Sequence, residues 1–267
     1  MSKRGWQDAD VRTAASAARN VLSDLQIRHP TETELENIAF MRGATVRTIP
    51  LMGAEGRLTR VAGGRAFISV ASRIAYSPRR RWVIAHELGH FETHDDENQL
   101  EICDEQDIDQ RYDPGTEREA NAFAAELLMP SSLWEKRVDV KEPTLVAVSE
   151  LADEFQVSLI AAAIRFVKLS PERCALVFAK QERVQWAAYS SDFGFWIDPH
   201  HPLDPYTVAM DYFKKGFVTS EREIVSARSW VTAPSLTDDD DLVEYCRPVP
   251  SLEATLSLLW IPPDADY

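Results

Sequence analysis

The chain is poor in cysteine and in positive charge, and it has no long apolar run. Its 267 residues include 3 cysteines, Cys103, Cys174 and Cys246. The count is odd, the three are far apart and no CxxC pair occurs. That argues against a disulfide framework and for a reducing compartment. No apolar stretch approaches the roughly 20 residues needed to span a bilayer, so no membrane association is expected. The opening segment, MSKRGWQDADVRTAAS, is charged and lacks an apolar core, so no secretory signal is expected and the expected location is cytoplasmic. Lysine and arginine number 29 against 43 acidic residues, a formal net charge of −14. An acidic surface repels phosphate backbones, which disfavours direct nucleic-acid binding.

What is present is enough apolar material for a sizeable core, 45% of the chain. A length of this order predicts two domains or three. Residues 8–28 place Val11, Ala15, Ala18, Val21, Leu22 and Leu25 at helical spacing, and a second helix follows with Thr31 or Thr33 as its cap. Short strands are expected over Val46–Ile49, Gly56–Val61 and Ala66–Val70, with Gly63-Gly64 as a hairpin turn. Ser77-Pro78 opens a helix over Arg79–Thr93. Residues 95–113 read as an acidic loop. A further helix runs from Pro114 or Thr116 to Met129, where Pro130 stops it, and residues 131–142 read as a linker or short helix. Pro143–Leu169 has the pattern of a helix–turn–helix. Beyond Pro171 the pattern is mixed: a hairpin of Cys174–Ala179 with Val184–Tyr189, a helix from Asp204-Pro205 to Gly216, a solvated run Asp238–Asp241 and a last buried strand, Leu256–Ile261. The fold class is α+β, divided as 1–135, 136–170 and 171–267.

The chemistry concentrates in His86-Glu87-Leu88-Gly89-His90, an HExxH motif on the helix over Arg79–Thr93. Two histidines four positions apart lie about 40° apart on one helical face, so both imidazoles can reach one ion. Two nitrogens and a carboxylate suit Zn²⁺ with a fourth position open to water, and Glu87 stands beside that position as a proton acceptor. Gly89 costs roughly 1 kcal/mol against alanine inside a helix, which a close approach by a neighbouring backbone would explain.

A catalytic zinc needs a third protein ligand. In the helix ending at Met129, Ala120, Phe123, Ala124, Leu127 and Leu128 define a buried side. Glu117 falls about 50° from its centre and Glu119 about 110°. Glu117 is therefore the expected ligand. Glu119 is expected to face solvent or to close a capping box with Thr116, and Glu126 to point outward. Asn121, one turn after Glu117, is placed to hold a ligand histidine through its other ring nitrogen. His94 extends the histidine stripe by one turn, as a substrate contact or a helix-end residue. His94, Tyr112 and the Arg79–Arg81 cluster are unranked as stabilisers of an oxyanion, the arginines being more simply packing features. His29, His200 and His201 read as structural or incidental.

Taken together, Arg81-Trp-Val-Ile-Ala-His-Glu-Leu-Gly-His90 and Glu117-x-x-Ala-Asn-x-Phe-Ala-x-Glu-Leu-Leu-Met-Pro130 resemble the ImmA/IrrE family of metallo-endopeptidases. The resemblance spans roughly residues 30–170. It implies a gluzincin-like peptidase fold with zinc on His86, His90 and Glu117 and with Glu87 as general base. It also implies a protein substrate, a helix–turn–helix transcriptional repressor, whose cleavage switches on mobile-element, phage or stress-response genes. A sensor-like C-terminal domain similar to GAF domains belongs to the same layout. Two rival readings are a DNA-binding regulator built on Pro143–Leu169 and a metal-dependent binding module without proteolysis. The first is weakened because Ser158–Leu169 carries only Arg165 and Lys168 as basic residues.

Overall fold

The computed structural model describes residues 10–61, 63–94, 101–103, 115–140, 142–219 and 221–265, of which 101–103 by backbone alone. Tyr112 and the acidic residues 95–97 lie outside these residues. The fold is mixed α and β with two sheets. Contacts divide the chain into two compact units, Met1–Pro130 with Asp153–Ser158, and Ser131–Ala152 with Leu159–Tyr267. The helical segment that the sequence sets apart as 136–170 thus groups mostly with the C-terminal unit. No helix among the described residues is long and apolar enough to cross a membrane.

The first unit opens with α1 (Val11–Asp24), whose start is capped by the Asp10 carboxylate accepting from Thr13 N. It buries Ala14, Ala18, Val21 and Leu22, the 3–4 spacing of an amphipathic helix. Helix α2 (Leu35–Met41) begins after Glu34, with no side-chain cap, so the threonines expected there do not serve. A four-stranded sheet follows, β1 (Ala44–Ile49), β2 (Gly56–Val61), β3 (Arg65–Ala71) and β4 (Glu101–Cys103), in the order β1-β3-β2-β4. β1 runs parallel to β3, whereas β2 is antiparallel to both β3 and β4. The β2–β3 hairpin turns through Gly63 and Gly64, both at positive φ, which explains the glycine pair. β4 falls in the stretch read as loop; three residues are too few to carry a readable period.

Helix α3 (Ser77–Thr93) packs on this sheet and against α4 (Gly115–Leu128). It starts one residue before the expected first turn, with Pro78 in that turn. Every residue from Val83 to His90 is buried. A helix covered on all sides shows no amphipathic stripe. Its C-terminal carbonyls are taken by Arg60 of β2, which donates to His90 O at 2.9 Å, to Phe91 O at 3.2 Å and to His94 O. A guanidinium there satisfies orphan carbonyls and the negative end of the helix dipole together. Arg42 grips the same end from outside, making two 2.8 Å bonds to Glu92.

The second unit contains α5 (Ser131–Val138), most of α6 (Leu145–Glu154) and α7 (Leu159–Leu169). These lead into a five-stranded antiparallel sheet: β5 (Cys174–Lys180), β6 (Arg183–Tyr189), β7 (Glu223–Ser226), β8 (Asp241–Val249) and β9 (Ala254–Trp260). The strand order is β6-β5-β9-β8-β7. Helix α8 (Val208–Lys215) is capped by Thr207, packs against β8 and β9, and ends at Gly216. Its first two amides, Val208 N and Ala209 N, both donate at 2.9 Å to the buried Glu244 of β8, as do Trp230 Nε1 and Ser257 Oγ. Burial pushes the Glu244 carboxyl up, and these four donors oppose that by favouring the ionised form.

Candidate metal centre

Two helices build the centre. Consecutive turns of α3 supply His86 and His90, and the first turn of α4 supplies Glu117. The helices approach closely because Gly89 has no side chain. A Cβ there would lie 3.0 Å from Ala120 O and 3.1 Å from Ala120 Cα. The close approach inferred from the cost of this glycine is present, and the backbone responsible is that of α4.

His86 Nε2 lies 3.0 Å from His90 Nε2. The Glu117 carboxylate reaches both, Oε2 at 3.1 Å from His86 Nε2 and Oε1 at 3.3 Å from His90 Nε2. One ligand atom from each residue falls within a 4.8 Å group. Both histidines are buried. The residues fit a metal. Tetrahedral bonds of about 2 Å place ligand atoms about 3.3 Å apart, close to these separations. Two imidazole nitrogens facing each other across 3.0 Å either share one hydrogen or turn both lone pairs toward a cation between them. Burial by itself would raise the Glu117 carboxyl. The two imidazoles beside it outweigh burial and hold the group well below the usual carboxylate range.

The outer ring nitrogens are also engaged. His86 Nδ1 meets Asn121 Oδ1 at 2.9 Å, the contact expected of that asparagine. His90 Nδ1 meets His94 Nδ1 at 3.2 Å, and His94 Nε2 meets Glu119 Oε2 at 2.9 Å. Glu119 therefore does not face solvent; its second oxygen accepts from Asp10 N at 2.8 Å. Glu126 does not point outward either. It is buried and 3.3 Å from Arg19 of α1. Both departures have one cause. Helix α4 is covered by α3 on one side and α1 on another, so a wheel with a single buried side misplaces the acids between them.

Glu87 is fully buried, with β2 against it. A Cβ at Gly56, the first residue of β2, would collide with the Glu87 carboxylate and with Val83. Gly56 is the site residue the sequence does not advertise, because a glycine opening a strand reads as punctuation. The arginine cluster is used in packing: Arg79 pairs with Glu55, Arg80 with Glu36 at 2.9 Å, and Arg81 donates to Pro30 O at 3.2 Å. His29 is structural as expected. Its ring lies 4.7 Å from that of Phe155, and it bonds Thr31 at 2.8 Å.

Two histidines one turn apart and a carboxylate from a second helix form a group that could hold a metal ion, as in metallopeptidase-type domains. Residues 41–167, just under half of the chain, match the peptidase M78 family model, described as the IrrE N-terminal-like domain. This match is consistent with the ImmA/IrrE family for residues 41–167. Among solved structures, the chain is similar in fold to a Mycobacterium tuberculosis transcriptional regulator, at 14% identity and a TM-score of 0.55, over 93% of this chain and 87% of that one. No match is found among curated proteins.

Proposed function

We propose that the chain is a cytoplasmic zinc-dependent endopeptidase of gluzincin-like build. It hydrolyses a peptide bond in a helix–turn–helix transcriptional repressor and so derepresses mobile-element, phage or stress-response genes. The observation that carries this reading is the convergence of His86, His90 and Glu117 from two helices, with Glu87 next to His86. The match of residues 41–167 to a peptidase family model supports it. The C-terminal unit is read as a sensor-like domain similar to GAF domains, with its antiparallel sheet and α8 as support.

A zinc ion bound at the centre would supply Lewis-acid chemistry, polarising a carbonyl and acidifying a water. His86, His90 and Glu117 would hold it with two neutral nitrogens and one anion. Asn121 and His94 occupy the outer nitrogens, which orients both rings. Glu87 accepts the proton of the attacking water and passes it to the leaving amine.

The test is co-expression with a helix–turn–helix protein encoded beside this chain, followed by mass mapping of fragments. Wild type should give one discrete cut, and Glu87→Gln should retain zinc and give none. A Glu87→Gln variant that keeps the full regulatory effect would replace the peptidase with a binding module.

A further inference from the structure

We propose that His94 and Glu119 are positioning residues for the metal centre, forming one relay that fixes the tautomer and orientation of His90. The inference rests on the metal-centre reading above and extends it to two residues that no motif assigns.

The argument is one of donors and acceptors. A neutral imidazole that gives one nitrogen to a cation keeps its hydrogen on the other. With His90 Nε2 turned toward His86 and Glu117, the hydrogen belongs on His90 Nδ1, and at 3.2 Å its acceptor is His94 Nδ1. His94 then carries its own hydrogen on Nε2. The surroundings of that nitrogen require this independently. Glu119 Oε2 lies 2.9 Å away and only accepts. Thr93 Oγ1 lies 3.3 Å away, and its hydroxyl hydrogen is committed to Gly89 O at 2.7 Å, which leaves a lone pair toward His94. Two acceptors thus face His94 Nε2, and the relay runs in one direction, from His90 through His94 to Glu119.

The far end is anchored. Glu119 Oε1 accepts from Asp10 N, and the Asp10 side chain caps α1 through Thr13 N at 2.9 Å. Arg60 ties the carbonyls of His90 and His94 to β2, so the main chain beneath both rings is held as well. His94 is the C-cap of α3, where the chain leaves the helix; the histidine stripe therefore reaches Glu119 because the last turn closes on α4. His86 has a separate partner in Asn121 and takes no part in the relay.

The experiment measures zinc affinity of the full chain by chelator competition for wild type, His94→Ala, Glu119→Gln and the double variant. Glu119→Gln keeps the shape of the side chain, and circular dichroism checks the fold of each. Each single change should weaken zinc binding about 10- to 100-fold. The double variant should be no more than a few-fold weaker than His94→Ala, because both act through one chain. Nitrogen-15 spectra of the zinc-loaded wild type should show the His94 hydrogen on Nε2. Zinc affinity within twofold of wild type in both singles overturns the proposal. So does weakening in His94→Ala alone, or a His94 hydrogen on Nδ1. A wild type that binds no zinc overturns the metal reading itself, a distinct outcome.

Discussion

Asn121 Oδ1 accepts from His86 Nδ1 across 2.9 Å, one turn of α4 beyond Glu117. A single helical face thus carries both Glu117, the candidate third ligand, and the group that orients His86. The bond fixes the hydrogen of His86 on Nδ1 and leaves the Nε2 lone pair for the centre. Asn121→Ala should therefore lower zinc affinity about 10- to 100-fold, and Asn121→Asp should restore part of it. Chelator competition reads both. Equal affinity in wild type and Asn121→Ala would leave the asparagine without the role given to it.

The α3–α4 approach makes a prediction about Gly89. In an open helix, replacing glycine with alanine stabilises by about 1 kcal/mol. Here the added Cβ meets the Ala120 backbone at 3.0–3.1 Å, which a side-chain rotation cannot relieve. Gly89→Val should cost roughly 1–3 kcal/mol, read as a lower urea midpoint at unchanged slope. A neutral or stabilising result would mean the helices separate freely.

Arg19 and Glu126 tie α1 to α4 at 3.3 Å, with the carboxylate buried and the guanidinium half exposed. Arg19→Ala should destabilise by up to about 1 kcal/mol, the loss of an ion pair whose arginine is half exposed. Partial exposure of the arginine keeps the effect below that of a fully buried pair. Denaturant unfolding of the variant, in low and high salt, checks it.

Burial raises the thiols of Cys174 and Cys246 to about 11 and about 12 from an ordinary 9.0. Both should resist iodoacetamide at neutral pH until the chain unfolds. The sign of the linkage follows: the folded state keeps these protons to higher pH than the unfolded state. Their stabilising contribution is complete below about pH 9 and lost as pH rises toward the folded values. From about pH 9 to about pH 10, each thiol should remove about 1 kcal/mol. Unfolding series on wild type and on a Cys174→Ala, Cys246→Ala double variant should differ by that slope; parallel curves would contradict it.

The sequence makes the metal helices legible because their chemistry is local. The i,i+4 histidines share a face by helix geometry alone, and a small buried side on α4 points Glu117 the same way. The contacts of Glu119 and Glu126 are not legible, since α1, distant in sequence, covers the flank of α4. β8 is hard to read for a related reason: Glu244 interrupts its apolar run, and only the folded unit brings the α8 amides, Trp230 and Ser257 to that carboxylate. Gly56 matters through what lies opposite it, which no single-chain pattern encodes.

The most direct measurement is anomalous diffraction at the zinc edge from crystals of the zinc-loaded chain. The account predicts one strong peak per chain, bounded by Nε2 of His86, Nε2 of His90 and the carboxylate of Glu117, and absent from Glu117→Ala crystals. A peak elsewhere, or a full-strength peak that survives Glu117→Ala, would contradict it.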